Sequence, residues 1–140
     1  MTSDSLSVSR VVFGPDGFAE VTNVGDASVT LAGYTLCQFP SYPSLPDGEL
    51  APGQSLKVAA AELGGLNASG GEVGIYAQPV YESADAITAY VQWGSDDQKR
   101  APVAVESGLW PDQTRLDAAG ASELRSTGDA TSPADWQIIE

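Results

Sequence analysis

Ile87-Thr88-Ala89-Tyr90-Val91-Gln92-Trp93 is the cleanest two-residue repeat in the chain. Ile87, Ala89, Val91 and Trp93 fall on one face and Thr88, Tyr90 and Gln92 on the other. That is the period of a strand. Working back from it, Val73 and Ile75 alternate with Glu72, Gly74 and Tyr76. Leu56, Val58 and Ala60 alternate with Ser55, Lys57 and Ala59, which places Lys57 outward. Phe18 to Val24 reads as another strand, and Leu6-Ser7-Val8-Ser9 alternates into Val11-Val12-Phe13. Gly14-Pro15-Asp16-Gly17 joins those two with the residues a tight reversal needs. Val29 and Leu31 are in phase, Tyr34 and Leu36 are in the opposite phase, and the slip predicts a bulge or kink at Ala32-Gly33.

Helical stripes do not persist, because Gly and Pro interrupt almost every window of a dozen residues. Residues 40–53 form a Pro-rich loop with Pro40, Pro43, Pro46 and Pro52. Short strands joined by turns are the pattern of an antiparallel sandwich. After Trp93 the pattern weakens: residues 101–110 suit a strand or a short helical turn, and Trp136 reads as an anchor on the sandwich edge.

The 140 residues suit a single domain, 1–140. By area scaling, about two-thirds of the unfolded surface of such a chain is buried on folding, enough for a core without staples. The chain has no His and one Cys. Histidine-based nucleophilic triads and the usual zinc sites are therefore excluded. Cys37 lacks an internal disulfide partner and a histidine base, and reads as a small core residue. A net charge of −13 argues against a phosphate-backbone partner. No apolar run approaches the roughly 18 residues a membrane span needs. The start Met1-Thr2-Ser3-Asp4 carries no signal peptide. Two readings follow: a cytoplasmic chain, or a secreted or surface protein whose signal has been removed. The polar start before a strand favours the second.

Phe18-Ala19-Glu20-Val21-Thr22-Asn23-Val24-Gly25-Asp26, then Val29-Thr30-Leu31-Ala32-Gly33-Tyr34-Thr35-Leu36, resembles the lamin tail domain. Its pattern is an aromatic-x-Glu-aliphatic-x-Asn strand, a Gly turn and an aliphatic-x-Leu-x-Gly-aromatic-x-Leu run. Leu50-Ala51-Pro52-Gly53-Gln54-Ser55-Leu56 and the Gly-rich stretch Gly65 to Tyr76 resemble later parts of the same family. The resemblance covers residues 6–94, and 95–140 would be the longer ending of a prokaryotic variant. It implies an all-β, immunoglobulin-like antiparallel β-sandwich of about 7–9 strands. It also implies a non-catalytic module, secreted or surface-exposed. DNA binding, known among the animal members, is not carried over, because Lys99-Arg100 is the single basic pair in an acidic chain.

No cofactor is implied. The remaining catalytic possibility is a carboxylate pair of glycosidase type, for which Glu20 is the first residue to test. Its structural alternative is a carboxylate bonded locally. Asp96 and Asp97 are the best local cluster for calcium, but lack the spacing of an EF-hand. Phe39, Tyr42 and Tyr81 lie in or beside loops rich in Pro and Ser. They either present rings to a protein or cell-surface glycan, with Tyr42 at the Pro40–Pro43 tip, or fold back over an open end of the sandwich. The functions expected are therefore a structural or adhesive binding module, a carboxylate-dependent polysaccharide hydrolase, or a cytoplasmic scaffold.

The diffuse acidity, with only Lys57 and Lys99 as lysines, fits a protein adapted to high salt. The expected outcome is a melting temperature clearly higher at about 2 M than at about 50 mM NaCl. Equal stability at the two concentrations rules the adaptation out.

Overall fold

The computed structural model describes residues 6–39, 41–96, 98–126 and 133–140. The polar start at residues 1–5, Pro40 of the loop tip, Asp97 of the acid pair and the tail residues 127–132 lie outside the described residues.

β1 (Leu6–Val12) and β2 (Phe18–Asn23) form a hairpin across Gly14-Pro15-Asp16-Gly17. A Cβ on Gly17 would collide with the Val12 carbonyl, so only glycine closes this turn. The hairpin carries a bulge. Val8 pairs with Val21 and Val11 with Ala19, with a register slip between Val8 and Arg10. Val8 and Val11 are an odd number of residues apart and would otherwise sit on opposite faces. The extra residue, Ser9, lets both point inward, at 1% and 0% exposure.

β6 (Ser55–Ala59) joins β2, while β9 (Glu123–Ser126) and then β10 (Trp136–Ile139) extend the sheet beyond β1. The order is β10-β9-β1-β2-β6, all antiparallel. A second sheet has the order β4-β7-β8, from β4 (Thr35–Cys37), β7 (Gly70–Tyr76) and β8 (Ile87–Gly94). A small ribbon pairs β3 (Val29–Thr30) with β5 (Glu49–Leu50). Between β3 and β4 the chain turns at Ala32-Gly33, with Gly33 at φ 92° and the Tyr34 N–H donating to the Leu31 carbonyl. The predicted kink is thus where the chain leaves the ribbon for the second sheet.

The expected all-β sandwich architecture is present, with ten strands among the described residues, short ones such as β3 and β5 included. Its core lies between the sheets, where β1 packs on β7 and β8. Val8, Val11, Val21 and Leu124 on one side join Leu36, Val73, Ile75, Val91 and Trp93 on the other in one buried cluster. Ala60 opens a short 3-10 turn (Ala60–Leu63) where the alternation of β6 had suggested more strand.

β8 departs from a half-solvated strand, because nearly every residue on both faces is buried. The second face is covered by the segment after it, which includes α1 (Ala101–Ser107). α1 starts with Pro at its first turn and stops at Gly108, whose φ of 81° suits a C-terminal glycine. This settles 101–107 as helix. Trp110 is buried behind it, and Leu116 exchanges main-chain hydrogen bonds with β8 through Gln92 and Gly94. Trp136 is buried in β10, at the edge of the larger sheet.

Trp93 lies over Gly71, donates its indole N–H to the Asn67 carbonyl at 2.7 Å and packs on Phe13 at 5.4 Å between ring centroids. A Cβ on Gly71 would approach Trp93 Cζ2 to 2.6 Å. Gly71→Ala is therefore expected to cost about 1–3 kcal/mol in urea denaturation. Gly74→Ala, whose added carbon meets nothing nearer than 3.4 Å, is expected to cost less than half as much.

Candidate functional site

Strand period places Glu72, Gly74 and Tyr76 of β7 on the face turned away from the core. Register puts Cys37 beside Gly74, Gly74 beside Tyr90, and Glu72 beside Gln92. Gly74 supplies no side chain, and the rings of Tyr76 and Tyr90 lean over it, 3.4 and 3.5 Å from where its Cβ would be. The result is a polar layer between the β4-β7-β8 sheet and the segment that follows β8.

Glu72 is 1% exposed. Its Oε1 accepts hydrogen bonds from the Tyr90 hydroxyl at 2.8 Å and the Arg100 N–H at 3.0 Å. Its Oε2 accepts from the Phe39 N–H at 3.1 Å. One carboxylate thus ties β8, the start of α1 and the loop after β4. Burial pushes the Glu72 carboxyl up from its ordinary pKa, against the downward pull of those three donors. Burial, followed by the nearby Glu72 charge, pushes the Cys37 thiol up to about 12. That holds Cys37 as a protonated core thiol. Gln92 is fully buried, donates to the Thr114 carbonyl at 2.9 Å and accepts from the Gln98 N–H at 2.9 Å. Gln38 donates to the Leu63 and Gly65 carbonyls at 2.7 and 2.6 Å.

Above this layer lies Arg100, 7% exposed. Its Nη2 donates to the Tyr42 hydroxyl at 2.6 Å, and its Nη1 stands 3.7 Å from the carboxylate of Glu82, a solvent-exposed residue. Burial works against its charge, but the bond to Tyr42 leads the interactions that more than restore it. The guanidinium carbon is 5.5 Å from the Phe39 ring, 5.7 Å from Tyr42 and 6.0 Å from Tyr81, all within cation–π reach. Tyr42 and Tyr81 stack with centroids 4.0 Å apart. Tyr81 meets Tyr76 edge-on, and the Tyr76 hydroxyl donates to the Tyr81 carbonyl.

The structure therefore gathers Phe39, Tyr42 and Tyr81 around one cation. Tyr42 and Tyr81 are half-buried and packed on the core, whereas Phe39 is 46% exposed and has the Lys99 ammonium 5.4 Å from its ring. Asp96 is exposed, and Asp97 is outside the described residues. Among the described residues no group of three acidic or cysteine side chains comes together to hold a metal. No helix among them is long and apolar enough to cross a membrane.

Glu20 lies on the outer face of the five-stranded sheet. It accepts from the bulge hydroxyl of Ser9 at 2.8 Å and stands 4.0 Å from Arg10. Arg10 forks onto Glu123 at 3.0 and 3.2 Å, and this holds the Glu123 carboxyl below its usual range. Glu20 thus belongs to a polar ladder across strands.

Two central residues, Glu72 and Arg100, were not singled out as site residues from sequence. The signals available were the single Lys99-Arg100 pair and an acid inside a strand flanked by glycines.

No protein-family model, curated protein or solved structure matches the chain.

A carboxyl whose pKa is raised by folding binds its proton more tightly in the fold than in the unfolded chain. Its contribution to stability therefore rises as pH falls through the folded pKa and levels off below the unfolded value, about 4.3. Glu72→Gln removes that dependence and turns an amide N–H₂ toward a donor, at a cost of about 1–3 kcal/mol near neutral pH. The stability of the wild type relative to Glu72→Gln is expected to grow as pH is lowered toward about 4.3. A difference that shrinks would show the carboxylate to be stabilised in its charged form.

Proposed function

We propose that this chain is a non-catalytic binding module of the lamin-tail type, secreted or displayed on a cell surface, that contacts protein or glycan through its loop aromatics. One observation carries the reading. Two loops far apart in sequence bring Phe39, Tyr42 and Tyr81 to a single cation, and Phe39 remains open to solvent. Rings held by stacking and a fixed charge have little rotamer freedom left to lose on binding, which is how an aromatic anchor gains affinity. The antiparallel sandwich is compatible with the family resemblance, since such domains present their loops at the ends of the sheets.

Support for binding over hydrolysis comes from Glu72. Both of its oxygens are engaged by donors of the chain itself, and it is closed off from solvent. A glycosidase acid needs an oxygen within reach of substrate.

The test is capture of cell-envelope proteins and polysaccharides on immobilised protein, with Phe39→Ala and Tyr42→Ala as variants. Phe39→Ala is expected to keep the melting temperature and lose about thirtyfold in affinity for whatever the wild type retains, the effect of a hot-spot residue worth about 2 kcal/mol. Tyr42→Ala is expected to lose binding and some stability together, because it also removes the Arg100 acceptor. Unchanged affinity in both variants would place the binding surface elsewhere.

A further inference from the structure

A second feature lies along α1. A cavity of about 250 Å³ opens between the helix and the turn that follows it, lined by Ala101, Pro102, Val105, Glu106, Asp112 and Gln113. Pro102, Val105 and Glu106 are three and four residues apart and form one stripe of the helix. The bed is apolar and the two acids are exposed. Among the described residues neither the Glu106 nor the Asp112 carboxylate has a hydrogen-bond or ion-pair partner.

The opposite wall is held in place. Trp110 is 2% exposed and donates its indole N–H to the Thr114 carbonyl at 2.6 Å. The Thr114 hydroxyl donates to the Asp112 carbonyl at 2.9 Å. Gln113 is the one non-glycine residue at positive φ among those described, at 53°. The turn therefore keeps Asp112 and Gln113 against the groove without help from a ligand.

Size and chemistry restrict the occupant. The volume is below the roughly 300–1,000 Å³ of pockets for cofactors and drug-sized molecules. It suits a single long side chain. An apolar bed beside two unpaired carboxylates matches an aliphatic stem that ends in a cation. A neutral or acidic occupant would desolvate those carboxylates without compensation. The −13 field adds long-range attraction for a basic partner. We infer that this groove docks a lysine or arginine side chain presented by a basic segment of a partner protein.

The test uses the full ¹⁵N-labelled chain at about 50 mM salt, where exposed charges are incompletely screened. Capped Gly-Gly-X-Gly-Gly peptides are titrated, with X as lysine, arginine, norleucine or diaminopropionate. Lysine and arginine peptides are expected to shift the amides of residues 101, 103–106 and 112–114. Their relative affinity identifies the head group preferred. Norleucine, with the stem and no charge, and diaminopropionate, with the charge and a short stem, are each expected to bind at least about tenfold more weakly. The double variant Glu106→Gln/Asp112→Asn is expected to lose about tenfold for the lysine peptide. Asp47→Asn/Glu49→Gln, which removes two exposed charges elsewhere, is expected to retain it. Equal loss in both double variants would reduce the effect to the diffuse field and overturn the site. So would shifts confined to residues outside the groove, or diaminopropionate binding as tightly as lysine.

Discussion

A carboxylate withdrawn from water must receive its hydrogen bonds from the chain, and this one condition organises the outer half of the molecule. Glu72 takes a donor from a side chain of β8, a donor from the main chain at the start of α1 and a donor from the main chain after β4. β8 is already paired with β7, but the start of α1 and the loop after β4 are distant from β7 in sequence. The carboxylate ties the latter two to the sheet, and with them the residues they carry. The Phe39 ring is set by the same residue whose N–H reaches Glu72. Arg100, likewise, is anchored by its main chain below while its guanidinium reaches upward to Tyr42. Buried polar groups of this type are costly unless fully satisfied, and when satisfied they favour one arrangement over its competitors. Here the arrangement selected is a loop cluster rather than a core.

How much of this was legible in sequence differs between the two layers. The inner face of β8 was readable, because Ala89, Val91 and Trp93 alternate and are buried; the register slips between Ala89 and Ile87, which pairs with Tyr76. The outer face was not, because Thr88, Tyr90 and Gln92 have the composition of a solvated surface. What buries them is a segment whose own pattern is helical for only seven residues. β9 and β10 were similarly hidden. Glu123-Leu124-Arg125-Ser126 has one apolar residue, and its position follows from pairing with β1 and the ion pairs of Arg10 and Arg125 to Glu123. The bulge at Ser9 left only a phase slip between Val8 and Val11, the same kind of signal that did reveal the turn at Gly33.

The candidate site was legible in part for a related reason. Aromatic residues in Pro- and Ser-rich loops mark themselves, so Phe39, Tyr42 and Tyr81 could be named one by one. Their convergence depends on a cation that sequence reading placed merely in a basic pair. Arg100 becomes central only when α1 begins where it does, over a strand pair that needs covering.

The pairing of β1 with β9 has a consequence for how the chain is made. Arg10 and Arg125 are register partners, so the inner strand of the larger sheet waits for residues more than a hundred positions later to occupy its second side. Until they arrive, β1 presents an open row of main-chain donors and acceptors next to the hairpin. Pairings of such long sequence separation form late and leave the intermediate prone to association through that edge. The C-terminal strands thus act as a closing seam: they complete the sheet and remove the one central strand from intermolecular competition.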